Sequence, residues 1–133
     1  KKNLKNNFGN YTFINVDLVE KENLQNEIEE PTMGHSVGYM KHAGKLHIHT
    51  DPNGDDGLIH TRFNVYVQIP EKGGLPIYDG KLHKLKERTY ICCRSGLDEH
   101  HATIVRGDRE RVILSFGYLL SPERVSNITY DYD

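Results

Sequence analysis

The chain has 133 residues, a formal net charge of -2 and a hydrophobic fraction of 36%, which fits one domain able to bury a core, with no room for separate cofactor and substrate domains. Mean hydropathy is -0.67, no apolar run approaches the roughly 20 residues of a membrane helix, and the N-terminus carries no signal-peptide pattern, so no membrane partner is expected. The acidic balance argues mildly against a nucleic-acid backbone as the main partner, since such binding normally shows a basic surplus.

Residues 11–19, rich in β-branched and aromatic side chains, predict a first strand. Residues 20–30 are polar, with Leu24 and Ile28 four apart. They predict a short N-terminal helix that Pro31 stops. From Thr32 onward short apolar runs alternate with Gly, Pro and Asp. Further strands are predicted over 45–50, 61–69, 75–78, 81–86, 89–94, 102–105 and 111–120, about eight in all with the first. Asp56-Gly57, Gly73-Gly74, Asp79-Gly80 and Gly107-Asp108 supply turns between them. Short strands punctuated in this way predict an all-β domain, a double-stranded jelly roll of about eight core strands or a small barrel, rather than an α/β fold. The polar tail, 121–133, is expected to run over the surface.

Cys92 and Cys93 are the only cysteines. Neighbours on a strand face opposite ways, so they should neither bridge each other nor share a metal, and a reducing, cytoplasmic compartment fits them. The sequons at Asn10 and Asn127 fit chance as well as glycosylation.

Two histidines and a carboxylate are the donor set of a non-haem iron site. His49 and Asp51 end a predicted strand and, being two apart, project from one face of it. A His-x-acid pair is expected about once by chance in a chain with 8 His and 19 Asp+Glu, and the same residues suit a solvated strand end. A third ligand could come from His100 or His101, which lead into the predicted strand 102–105; adjacent histidines face opposite ways, so at most one of them serves. Arg111 heads an apolar strand, where a guanidinium is costly unless it meets an anion. Asp108 or Glu110 could be that partner instead of a ligand. Residues 61–69 alternate, with Phe63, Val65, Val67 and Ile69 on one face and Asn64, Tyr66 and Gln68 on the other, which could line a pocket or meet solvent.

Together these segments resemble the 2-oxoglutarate- and Fe(II)-dependent oxygenases, specifically the small prolyl-hydroxylase-like members. Tyr39 stands ten positions before His49; Arg62 opens a strand, Gly73-Gly74 marks a hairpin, and His100-His101 and then Arg111 follow. The resemblance spans roughly residues 39–118 of a single domain, 1–133. It implies that His49, Asp51 and His100 ligate Fe(II) and that Arg111 binds the distal carboxylate of the co-substrate 2-oxoglutarate. Tyr39, and Tyr66 or Gln68, would be further co-substrate contacts. Three protein ligands leave about three positions on a six-coordinate metal, for the 2-oxo acid and O2. His101 competes with His100 and Arg109 with Arg111, and Gln68 stands where prolyl hydroxylases tend to have Tyr. Because Asp51 is a carboxylate, the halogenase branch does not fit. The prime substrate, a peptide or small molecule, is not specified; a peptidyl proline follows from family analogy alone. A cupin-like metal-binding protein is the alternative, from His47-x-His49 without the expected Glu, and a non-catalytic β-sandwich is a third.

Overall fold

The computed structural model describes residues 5–8, 11–16 and 34–130. Its strands are β1 (Lys5–Phe8), β2 (Tyr11–Val16), β3 (His35–Met40), β4 (Leu46–His49), β5 (Ile59–Gln68), β6 (Pro76–Tyr78), β7 (Lys81–Leu82), β8 (Thr89–Cys93), β9 (His100–Ala102) and β10 (Arg111–Leu120). A 3-10 turn, Asp55–Gly57, precedes β5, and a one-turn helix, α1 (Pro122–Val125), follows β10. The strands form a six-stranded sheet, β1-β2-β3-β10-β5-β8, and a four-stranded sheet, β4-β9-β6-β7. Every pairing is antiparallel. The predicted helix 20–30 lies outside the described residues. No helix among those described is long and apolar enough to cross a membrane.

The core gathers Tyr66, Ile91, Cys93 and Ile113 from the larger sheet and Tyr78 from the smaller one, as two apolar faces require when each must bury itself against the other. β3 was not expected from the sequence. Its HSVGYM has small and polar residues in place of an apolar alternation, yet it lies between β2 and β10 and is held in register by both. β9 begins at His100, earlier than the predicted 102–105. Thr103 and Val105 leave the regular ladder to bond the backbones of Leu75 and Gly44. The strand expected over 81–86 contracts to Lys81–Leu82.

A register shift in β5 decides which side chains face inward. Tyr66 pairs with Ile113 but Gln68 pairs with Val112, so Val67 is an extra residue on β5. A bulge of one residue inverts the pleat beyond it. Gln68, expected beside Tyr66, therefore faces the other way, and its Nε2 donates to the Glu110 carbonyl at 2.8 Å.

Of the tail, residues 121–130 are described, and most of them are at the surface as expected, with Val125 and Tyr130 turned inward. Ser121 caps α1 by accepting from the Arg124 N–H, with Pro122 in the first turn. Val125 is fully buried, and Tyr130 packs on the core cluster.

Gly73 has φ +74°, and a Cβ there would lie 1.7 Å from the Ile104 carbonyl oxygen. Gly73→Ala is therefore expected to cost about 2 kcal/mol or more, since left-handed strain and a backbone clash add. A urea midpoint equal to wild type would contradict this close approach.

Candidate metal centre and cavity

A cavity of about 320 Å³ is lined by residues of both sheets, among them Ser36 and Gly38 of β3, Arg62 and Tyr66 of β5, Tyr78 of β6 and Arg111 of β10. His49, Asp51 and His100 lie together on its wall. Their ligand atoms are all within 4.8 Å of one another, and theirs is the group with metal-site spacing among the described residues.

Local structure explains this convergence. β4 and β9 pair so that His49 is opposite His100, and their ring centroids are 4.3 Å apart. The chain after β4 is tied to the turn after β8: the Asp51 N–H donates to the Ser95 carbonyl at 2.8 Å. The Asn53 Nδ2 donates to the Gly96 carbonyl at 3.1 Å, and its Oδ1 accepts from the His60 N–H at 3.0 Å. A Cβ on Gly96 would fall 1.7 Å from the Asn53 Oδ1, so this clasp needs glycine.

Each histidine is also held by its other nitrogen. The His49 Nδ1 is 2.6 Å from the His47 carbonyl oxygen and the His100 Nδ1 is 2.8 Å from that of Asp98. A carbonyl can only accept, so each Nδ1 carries a proton and each Nε2 is left for a cation or a second proton. The His49 Nε2 is 3.2 Å and the His100 Nε2 3.5 Å from the same Asp51 Oδ1. Two imidazole lone pairs aimed at one carboxylate oxygen repel unless positive charge stands among them, and backbone-oriented imidazoles are the usual surroundings of a metal ligand. The donor set thus fits a divalent cation of the imidazole-carboxylate class, such as iron. Without metal the charge comes from protons. The hydrogen bond with Asp51 holds the His49 pKa above its ordinary value. Burial pushes the Asp51 carboxyl upward, but hydrogen bonds from His100 and His49 outweigh it and leave the group well below the usual carboxylate range.

His100 and His101 are separated by the pleat. His100 is 5% exposed and pairs with Tyr78 across β6 and β9, where the two rings stack at 4.7 Å and 15°. His101 pairs with Ile77 and also borders the cavity, but it is not part of the converging group.

The two arginines differ more sharply. Arg109 is exposed, pairs with Glu87 and donates to the Ile69 carbonyl at 3.1 Å. Arg111 is 6% exposed, with its guanidinium carbon 5.6 Å from the Tyr66 ring centroid and Nη1 4.0 Å from the Met40 Sδ. It has no carboxylate partner among the described residues, and its Nε makes no hydrogen bond. Neither Asp108 nor Glu110 answers its charge.

Tyr39 does not reach the cavity. Ser36 and Gly38 line it, so the intervening pleat turns Tyr39 outward, where it is 36% exposed. Gln68 is likewise absent from the wall, because of the β5 bulge. Tyr66 is on it. His60 was missed by the sequence reading: it is 5% exposed, with Nδ1 3.1 Å from the Pro52 carbonyl oxygen and 3.9 Å from the Asp51 Oδ2. Burial, and then the charge of Arg62, lower its pKa. Extending the period of Arg62 and Asn64 back by two would have placed it. Arg62 donates to the Ser115 Oγ at 2.8 Å and the Gly34 carbonyl at 2.9 Å, forming a polar part of the wall.

No protein-family model matches the chain, and no curated protein matches it in sequence. Solved structures do match in shape. An oxidoreductase of the 2OG-Fe(II) oxygenase family from Burkholderia pseudomallei aligns with TM-score 0.65 and 13% identity over 89% of this chain and 72% of its own. The viral collagen prolyl hydroxylase from Paramecium Bursaria Chlorella virus-1, in its 2OG complex, aligns with TM-score 0.57 and 19% identity over 75% and 67%. A cupin domain from Schizosaccharomyces pombe aligns with TM-score 0.59 and 10% identity over 94% and 76%. The fold is a cupin-type jelly roll. It is shared by oxygenases and by other cupins, so the choice of chemistry falls to the side chains.

In the metal-free protein His49, raised above 6.5 by Asp51, contributes stability that is fully present below that pH and is lost as pH climbs through its folded pKa. The destabilisation caused by His49→Gln, from urea melts in chelator, should thus be larger near about pH 6 than near about pH 8.5. Equal losses at both would uncouple His49 from Asp51.

Proposed function

We propose that the protein is an Fe(II)- and 2-oxoglutarate-dependent oxygenase, hydroxylating an unactivated C–H bond as 2-oxoglutarate is decarboxylated to succinate. The observation that carries this reading is Arg111, a buried guanidinium with no acidic partner among the described residues, lining the same cavity as the triad. Burying an uncompensated charge is strongly unfavourable. A dianionic co-substrate supplies the missing charge.

In this reading His49, Asp51 and His100 hold iron. Iron held there would supply the O2-dependent redox chemistry that couples co-substrate decarboxylation to substrate hydroxylation. Arg111 binds the distal carboxylate through its planar fork, with its face against Tyr66. The cavity walls order the co-substrate and keep bulk water away. The likeness to 2OG-Fe(II) oxygenase structures supports the assignment. The prime substrate is a peptide or a small molecule. A reducing cytoplasm suits the free thiols of Cys92 and Cys93. Cupin neighbours favour a second reading, a metal-binding cupin that takes no 2-oxoglutarate.

Anaerobic addition of Fe(II) and 2-oxoglutarate should give a visible charge-transfer band. His49→Ala, Asp51→Ala and His100→Ala should each remove it together with 2-oxoglutarate turnover, whereas His101→Ala should retain it. Iron binding without any effect of 2-oxoglutarate would favour the cupin reading, and wild-type behaviour of the triad variants would end both.

Truncating one member of a buried charge pair costs roughly 2–5 kcal/mol, so Arg111→Ala should weaken 2-oxoglutarate binding to the anaerobic iron form by about 30-fold or more. Arg111→Lys restores charge without the fork and should fall between Ala and wild type. Arg109→Ala should bind normally. A loss confined to Arg109→Ala would transfer the anchor.

A further inference from the structure

His100 is gripped on two sides, and both grips lead to one residue in the tail. On its ring face lies Tyr78, nearly parallel at 4.7 Å. The Tyr78 ring also packs against that of Tyr130, tilted at 5.5 Å, and Tyr130 meets His83 edge-on at 5.4 Å. At its Nδ1, His100 is held by the Asp98 carbonyl at 2.8 Å. Asp98 belongs to a turn that Arg94 organises. The Arg94 carbonyl accepts from the Leu97 and Asp98 N–H groups, and the Arg94 guanidinium binds the Asp98 carboxylate at 2.9 and 3.3 Å.

Arg94 is in turn held by Tyr130. Its N–H donates to the Tyr130 Oη at 2.7 Å, and its guanidinium carbon lies 5.4 Å from the Tyr130 ring centroid. One phenol therefore terminates two routes to the same imidazole, through Tyr78 to its face and through Arg94 and Asp98 to its Nδ1. Both determine where the Nε2 points, which is the property a metal ligand needs fixed.

We infer that Tyr130 is a positioning residue for the metal centre: by packing against Tyr78 and clamping the Arg94–Asp98 turn, it holds His100 in ligating orientation. The inference rests on the metal-centre reading above. It makes the segment after α1 part of the site, although Tyr130 itself is not among the residues lining the cavity. Its hydroxyl and its ring have separable duties. The ring supports Tyr78 and the Arg94 guanidinium, while the hydroxyl supports the backbone N–H of Arg94.

The test is Co(II) titration of the full chain, followed by the d–d absorption spectrum, which reports ligand number and geometry independently of activity. Changing an outer-shell partner of a metal ligand typically costs 10–100-fold in metal affinity, so Tyr130→Leu is expected to bind Co(II) at least about 10-fold more weakly, with an altered spectrum. Tyr130→Phe keeps the ring and should fall between Leu and wild type. Val125→Ala controls for general loss of tail packing, because Val125 is fully buried in α1; it should lower the urea midpoint and leave Co(II) affinity within about twofold of wild type. Wild-type affinity and spectrum in Tyr130→Leu would overturn the inference and leave the metal centre standing. Weakening by Val125→Ala equal to that by Tyr130→Leu would also overturn it. Absence of Co(II) binding by the wild-type chain would remove the metal centre and the inference together. Should Tyr130→Leu fail to fold, Tyr130→Phe decides: unchanged affinity and spectrum overturn the role of the hydroxyl clamp, and an altered spectrum supports it.

Discussion

The pairing of β4 with β9 places His49 opposite His100, with the Asp51 carboxylate between their Nε2 atoms. The site depends on this contact, and so does much of the smaller sheet. Three groups that avoid burial in isolation are brought within 4.8 Å, and the cost is reduced by fixing each imidazole through its Nδ1 to a backbone carbonyl. Strand register supplies the approach. Short, local hydrogen bonds supply the orientation, since each carbonyl lies two residues before the ring it holds.

Polar burial is the recurrent feature of the interior. His60, His83, Ser95, Asp98, His100 and Arg111 are all below a tenth exposed, and buried polar groups are tolerable when their bonds are made. Asp98 answers Arg94, and Ser95 receives the Asp51 N–H through its carbonyl. Arg111 is different. Its charge meets an aromatic face and a thioether, both weak partners for a cation. That contrast sets Arg111 apart from Asp98 and Ser95, whose polar atoms are answered within the fold.

The bulge at Val67 shows how a one-residue change of register edits a site. Up to Tyr66, β5 presents alternate side chains to the cavity. Beyond it the pleat is inverted and Gln68 supports the Glu110 backbone. The same alternation on β3 sends Tyr39 outward while leaving Ser36 and Gly38 on the cavity wall.

The chain's own pattern determined what local rules can determine. Period-two runs and Gly-Asp turns predicted β5, β8 and β10 nearly in full, and the spacing of His49 and Asp51 marked them as a pair, although Asp51 lies past the end of β4 and is held there by the Ser95 carbonyl. Composition also marked Arg111 as costly in an apolar run. Tertiary structure decided the rest. That His100 and not His101 joins His49 and Asp51 depends on which face β9 shows to β4 and β6, and that Arg109 is paired while Arg111 has no carboxylate partner among the described residues depends on where Glu87 lies. β3 emerges only once β2 and β10 flank it, and Tyr130 joins the core only once Arg94 and Tyr78 are beside it. Local periodicity fixes where a side chain points relative to its own strand; only packed layers fix what it points at.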